Sequence, residues 1–192
     1  MKLTKGLTQE GYQCQSTTGV GPKVNTVMIA SRIPFKVVRL EELVAQDYPR
    51  ILMAKFEKFS VAGVYFAQKE EKRTLFDYLM KHGVRYLGDK GLVTGDFNTG
   101  RAYLDEPGKS FACIDAFEHL EKHGLVDSWR SRNPGKRESS WFSSKPHMNG
   151  FRIDHVFSTL AMDRAITKVY YDHAPRLEKD SDHSALLTEF DV

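Results

Sequence analysis

The stretch Gly95-Asp96-Phe97-Asn98 decides how the rest of the chain is read. Leu92-Val93-Thr94 leads into it as a short apolar strand, and Thr99-Gly100 leaves it as a turn. On an extended strand an Asp and an Asn two apart point to the same side. Asp96 and Asn98 can therefore hold a divalent cation and a phosphate oxygen together. Two echoes follow. Arg152-Ile153-Asp154 sits in Phe151 to Ser158, which reads as a second strand, and Ser181-Asp182-His183 precedes a final strand, Ala185 to Phe190. Asp154 lies among apolar residues, where a carboxylate needs a partner. Taken singly, an Asp-x-Asn is a turn and an Asp-His pair on a loop is solvated. Together, each at a strand edge, the carboxylates, the Asn and the His form a kit for metal-assisted phosphodiester cleavage. Hard oxygen ligands suit Mg2+ or Mn2+, and an imidazole suits acid or base work.

These motifs also carry a resemblance. Gly-Asp-Phe-Asn at 95–98, Phe-Arg-Ile-Asp-His at 151–155 and Ser-Asp-His-Ser at 181–184 resemble the endonuclease/exonuclease/phosphatase superfamily, the DNase I-like proteins. Gly124 to Arg130, with Trp141-Phe142 ahead of Asp154, is similar to the exonuclease III and abasic-site endonuclease branch. The resemblance implies an α/β fold, a four-layer sandwich of two packed, mostly antiparallel sheets flanked by helices, over a single domain at 1–192. It implies a hydrolase that needs Mg2+ (or Mn2+) and cuts phosphodiester bonds in duplex DNA, as an abasic-site endonuclease or 3′-exonuclease. In that scheme Asp182 and Asp96 hold the metal, and Asp96 also orients or deprotonates the attacking water. Asn98 hydrogen-bonds the phosphate or fixes Asp96. His183 contacts a phosphoryl oxygen or moves a proton, and Asp154 holds its ring. Asp96 and His183 both stand as candidates for the base.

The resemblance further implies that Tyr65 contacts the scissile phosphate and that Phe151 lines a sugar pocket. Phe66-Ala67-Gln68 stands where the family shows Pro and Asn after that Tyr, so Tyr65 is equally a strand-end ring packed with its hydroxyl in water. The family opens with a strand-helix-strand carrying an Asn and a metal-binding Glu. Nothing before Gly11-Tyr12 matches it, and Glu10 is on a polar loop. The expectation is an N-terminally shortened member with weak metal affinity. Its alternatives are a non-catalytic member that binds nucleic acid and a phosphodiesterase of a lipid or small phosphoester.

Composition is consistent with this class. The 192 residues are 41% apolar and 28% charged, enough for a real core in one domain. A net charge of +3 permits nucleic acid without arguing for it. Cys14 and Cys113 form neither a metal pattern nor a disulfide framework and fit a reducing, cytoplasmic compartment. No apolar run is long enough for a membrane span, and no protein partner is evident.

The remaining elements follow from periodicity. Met1 to Gly21 reads as loop or a short frayed helix. Val24 to Ser31 and Arg50 to Phe56 read as strands, and Phe59 to Phe66 as a central buried one. Glu70 to His82 reads as a helix stopped by Gly83, and Lys109 to His123 as a helix stopped by Gly124. His119 and His123 have metal-binding spacing but no third ligand, and read as helix surface. Between Trp129 and Arg152, the bases Arg130, Arg132, Lys136, Arg137, Lys145 and Arg152 face one acid, Glu138, and interleave with aromatics around Pro134 and Pro146. Such a loop suits a DNA backbone with an unstacked base. Arg130, Lys136 and Trp141 are its candidate contacts, with core packing the alternative for Trp141.

Overall fold

The structure is a computed structural model that describes residues 2–19, 21, 24–144 and 147–192, which leaves Lys145 and Pro146 of the basic loop outside the described residues. The chain opens with helix α1 (Lys2–Gln9) and strands β1 (Cys14–Thr17), β2 (Met28–Ser31) and β3 (Lys36–Val38). A 3-10 turn at Ala45–Arg50 leads to β4 (Ile51–Lys55) and β5 (Ser60–Tyr65). A second such turn, Lys69–Lys72, leads to helix α2 (Arg73–Leu87) and β6 (Gly91–Asp96). Then come α3 (Ile114–Lys122), β7 (Leu125–Asp127), α4 (Ser128–Arg132), β8 (Trp141–Phe142), β9 (Gly150–Phe151) and β10 (Asp154–Thr159). The chain closes with α5 (Leu160–Ala165), β11 (Ile166–Asp172), α6 (Ala174–Leu177) and β12 (Ala185–Phe190).

The main sheet has the order β3-β4-β5-β6-β10-β7. Only β5 and β6 run parallel, and α2 makes the crossover that a parallel pair requires. The register sets Tyr65 beside Asp96 and Asp96 beside Asp154. One end of the sheet thus collects all three residues. Gly95 is needed there. Its φ of 144° is left-handed territory, and a Cβ would run into the carbonyl of Val64.

Two cores cover the sheet. On one face Leu75, Phe76 and Leu79 of α2 and Phe117 of α3 close over Phe66, Phe97 and Phe157. On the other, Trp129 and Met162 pack with Leu92, Val156, Val169 and Tyr171 beneath the antiparallel β11–β12 pair. Helices therefore flank mixed sheets, as a DNase I-like fold requires. Among the described residues no helix is long and apolar enough to cross a membrane.

Several boundaries differ from the sequence reading. Helix α2 runs through Gly83 and stops at Gly88, whose φ is 67° and whose N–H returns to Val84 O at 3.0 Å. The apolar stripe carries on past Gly83 to Leu87, and packing outweighs one glycine. Helix α3 starts at Ile114, after a left-handed Cys113, because Ser110 and Phe111 donate their N–H groups to Glu106 instead of winding into a helix. The strand expected over Phe151 to Ser158 breaks at Arg152-Ile153, where Arg152 turns inward.

Candidate active site

Asp96 leaves β6 and bends back on itself. Its Oδ1 accepts the N–H of Asn98 at 2.7 Å, a local turn that needs a left-handed residue, and Asn98 supplies it with φ 51°. The Asn98 carboxamide is largely occupied. Its Nδ2 donates to Phe66 O at 2.8 Å, and its Oδ1 accepts from Gln68 Nε2 at 2.5 Å. Lys72, buried, donates its ammonium to Asn98 O. Asn98 therefore fixes the Asp96 turn through its backbone. Gln68 and Lys72 escaped the sequence reading, although Gln68 stands where the family's Asn was expected.

Behind this turn lies the imidazole. His183 Nδ1 donates to Asp154 Oδ2 at 2.8 Å, leaving Nε2 for the cleft. Asp154 is itself held. Ser140 Oγ accepts its N–H at 3.2 Å, and Tyr171 donates to its carbonyl at 2.5 Å. Burial pulls the His183 pKa down, but the hydrogen bond and charge of Asp154, with Asp96 and Asp182 adding, leave it above the ordinary value. Asp96 shows the opposite balance. Burial, then the nearby Asp154 carboxylate, push it up to about 7 against the pull of Asn98, His183 and Lys72.

These groups open onto a cleft of about 800 Å³, a size suited to a ligand. Tyr65, Asp96, Asn98, Asp182 and His183 line its polar side. Its apolar side is built from Trp141 and Phe151, ring centroids 5.8 Å apart, and from Phe111, 5.6 Å from Phe151. Phe111 comes from the loop before α3 and had no motif to reveal it. Trp141 faces the cleft rather than the core, and its indole N–H reaches Asp182 Oδ2 at 3.3 Å. The core tryptophan is Trp129.

The basic loop's described cationic side chains do not line this cleft, although its Trp141 and Phe151 do. Arg130 is buried and ion-paired with Asp105, and its Nη1 donates to the carbonyls of Asn133 and Lys136. Lys136 pairs with Glu138 at 3.0 Å, and Arg132 with Asp163 at 2.8 Å. Asp105 and Asp163 lie outside the stretch, so a local charge count makes the loop look unpaired. The structure thus places Arg130 in a buried ion pair and Lys136 on the surface beside Glu138. His119 and His123 are exposed on α3, with His123 Nδ1 bonded to His119 O at 2.9 Å.

The motifs' resemblance implies a divalent cation at this site. Among the described residues no three His, Cys, Asp or Glu side chains are grouped as a metal cage. The donor chemistry still fits. Asp182 and Asp96 are two carboxylates on one cleft wall, and magnesium is commonly held by one or two carboxylates, with water and substrate phosphates completing its shell. A cation would also relieve the crowding that raises Asp96.

A test of that crowding needs no substrate. The folded pKa of Asp96, about 7, stands above its unfolded value of 3.8. The native state therefore binds the extra proton, and stability falls as pH rises between those values. In EDTA, Asp96→Asn removes this penalty. Its melting temperature is expected to exceed that of the wild type by several degrees at pH 8 and to match it near pH 4. An equal difference at both pH values would contradict the raised pKa.

The comparisons agree with this geometry. A sequence profile of the Endonuclease/Exonuclease/phosphatase family matches residues 3–183. Among solved structures, the chain is similar to a 3′-5′ exonuclease (NExo) from Neisseria meningitidis, with 26% identity and a TM-score of 0.81 over 97% of this chain and 82% of that one. A structure of the 3′ phosphatase NExo from Neisseria bound to a product DNA hairpin gives 26% identity and a TM-score of 0.80, over 98% and 82%. An AP endonuclease from Archaeoglobus fulgidus shares the fold at a TM-score of 0.86 and 23% identity, over 98% and 82%. The chain belongs to the endonuclease/exonuclease/phosphatase family, with the DNase I-like fold.

Proposed function

We propose that this protein is a divalent-metal-dependent phosphodiesterase that acts on DNA, at 3′ ends or abasic sites, as a single domain over 1–192 in the cytoplasm. The observation that carries the reading is the His183–Asp154 hydrogen bond of 2.8 Å, formed at the sheet end where the register also sets Asp96. The printed activities of the similar structures, a 3′ phosphatase, a 3′-5′ exonuclease and an AP endonuclease, support the substrate class.

In this reading water attacks phosphorus and the P–O bond to the leaving oxygen breaks. Asp96 orients that water and accepts its proton. His183, whose pKa is raised, carries a proton on Nε2 and donates it in a hydrogen bond to a phosphoryl oxygen. Asp154 fixes the imidazole's tautomer and orientation. The Tyr65 hydroxyl donates to the phosphate. Trp141, Phe151 and Phe111 receive the sugar or displaced base. Asp182 and Asp96 would hold the cation, which when bound polarises the phosphate and steadies the leaving oxygen.

The deciding assay offers the purified protein a duplex with a 3′ phosphate, a recessed 3′-hydroxyl duplex, an abasic duplex and a sphingolipid, each with Mg2+ and with EDTA. EDTA-sensitive release from at least one DNA is expected. Binding of DNA without such release would select a non-catalytic member, and turnover of the lipid alone would move the substrate class.

A further inference from the structure

The cleft does not end at Tyr65. A second compartment of about 370 Å³ adjoins it and shares Val24, Asn25, Tyr65 and Gln68 with it. Asp96, Asp182 and His183 line only the inner compartment, and Arg50 lines only the outer one. The shared wall is built in an informative way. Asn25 Nδ2 donates to the Tyr65 phenol oxygen at 2.9 Å, so the phenol hydrogen is left to be donated elsewhere. The Arg50 guanidinium lies over the face of the same ring, 5.9 Å from its centroid. Arg50 is half-buried where the 3-10 turn meets β4 and has no hydrogen bond or ion pair with any described residue.

Neither nearby acid forms an ion pair with Arg50 among the described residues. Asp47 is buried and accepts from Thr74 at 2.7 Å, with only a longer-range pull from Arg50. Glu71 lines the outer compartment opposite. A guanidinium presented on an aromatic ring without a side-chain partner matches an oxyanion with several acceptor oxygens. Arg130, Arg132 and Arg152 of the basic loop are taken up by ion pairs, as Arg50 is not.

We propose that Arg50, stacked on the Tyr65 ring, forms a second anion subsite that takes a non-scissile phosphate of the bound DNA strand, while Asn25 turns the Tyr65 phenol hydrogen to the scissile one. This rests on the DNA-acting reading above. The strand enters past Arg50, crosses Tyr65, and delivers the neighbouring phosphate to Asp96 and His183. Asn25 is a positioning residue acting through Tyr65.

The test reads binding with cleavage switched off. A fluorescein-labelled duplex with a recessed 3′ end is titrated in EDTA, either all-phosphate or with one neutral methylphosphonate at each linkage near the 3′ end in turn. Arg50→Ala is expected to weaken binding about tenfold and to lower the slope of log affinity against log salt by about 0.9. Arg50→Lys should keep the slope. At one linkage the methylphosphonate should cost the wild type a similar factor and cost Arg50→Ala nothing more, since both changes remove one contact. Arg50→Gln serves as a second neutral variant in case the alanine perturbs the fold. Losses that multiply at every linkage, an unchanged slope, or no binding by the wild type would overturn the subsite. A protein that shows the expected coupling in EDTA yet cleaves no DNA with Mg2+ would instead overturn the phosphodiesterase reading and leave the subsite standing.

Discussion

His183→Ala is expected to lower turnover by about two to four powers of ten, the range for losing a positioned acid or base. DNA affinity should change far less, because the imidazole is one contact on a cleft wall that Tyr65, Trp141 and Phe151 also line. Asp154→Ala should show the same signature for an indirect reason. Asp154 is absent from the cleft lining and touches the cleft through His183 Nδ1 at 2.8 Å. Removing it frees the ring to rotate and withdraws the charge that holds the histidine pKa above its ordinary value. The double variant should then be hardly worse than His183→Ala alone, since residues acting as a unit share one loss. Single-turnover rates of the four proteins on one duplex decide it. Multiplicative losses would assign Asp154 a role of its own, and an unchanged His183→Ala rate would remove the histidine from the chemistry.

Why this part of the site could be read from the sequence follows from strand geometry. Asp96 and Asp154 each stand at a strand end, and a short antiparallel pairing between their strands can hardly avoid bringing them side by side. The final strand likewise begins two residues after His183. The pairing of the basic loop's arginines was hidden for the opposite reason. Arg130 finds Asp105 and Arg132 finds Asp163, partners 25 and 31 residues away that no local window contains. Gln68 and Asn25 were illegible for the same cause. Each acts through a group far along the chain, Asn98 and Tyr65 respectively. Gly83 shows the limit of punctuation residues, since a glycine stops a helix only where the chain can leave it. Here the next turn still buries Leu87.

Arg152→Ala is expected to destabilise the fold by about 3–5 kcal/mol, the usual loss on breaking a buried charge network from one side. The guanidinium is 0% exposed. Its Nε donates to Asp105 Oδ1 at 2.7 Å and its Nη2 to Asp127 Oδ2 at 2.7 Å, with the Trp129 ring 4.8 Å from its carbon. Burial alone would raise both carboxylates, and Arg152 outweighs it, holding Asp105 and Asp127 below the usual range. The alanine variant leaves two desolvated carboxylates facing a cavity without their shared partner, with Arg130 still on Asp105 and Arg101 still on Asp127 at 3.3 Å. The sign of the pH response separates this from plain loss of packing. In the wild type the depressed carboxylates give stability above the ordinary carboxylate range that is lost as pH falls. In Arg152→Ala the same groups are buried without their main partner, so their pKa values rise and acid relieves the strain. The gap in melting temperature should therefore be widest near pH 8, roughly 10 °C or more for a chain of this size, and should narrow towards pH 4. Arg152→Met, which refills the space without the charge, should recover little at pH 8. A gap independent of pH, closed by methionine, would mean that Arg152 works by volume and that the Asp105–Asp127 charges are tolerated without it.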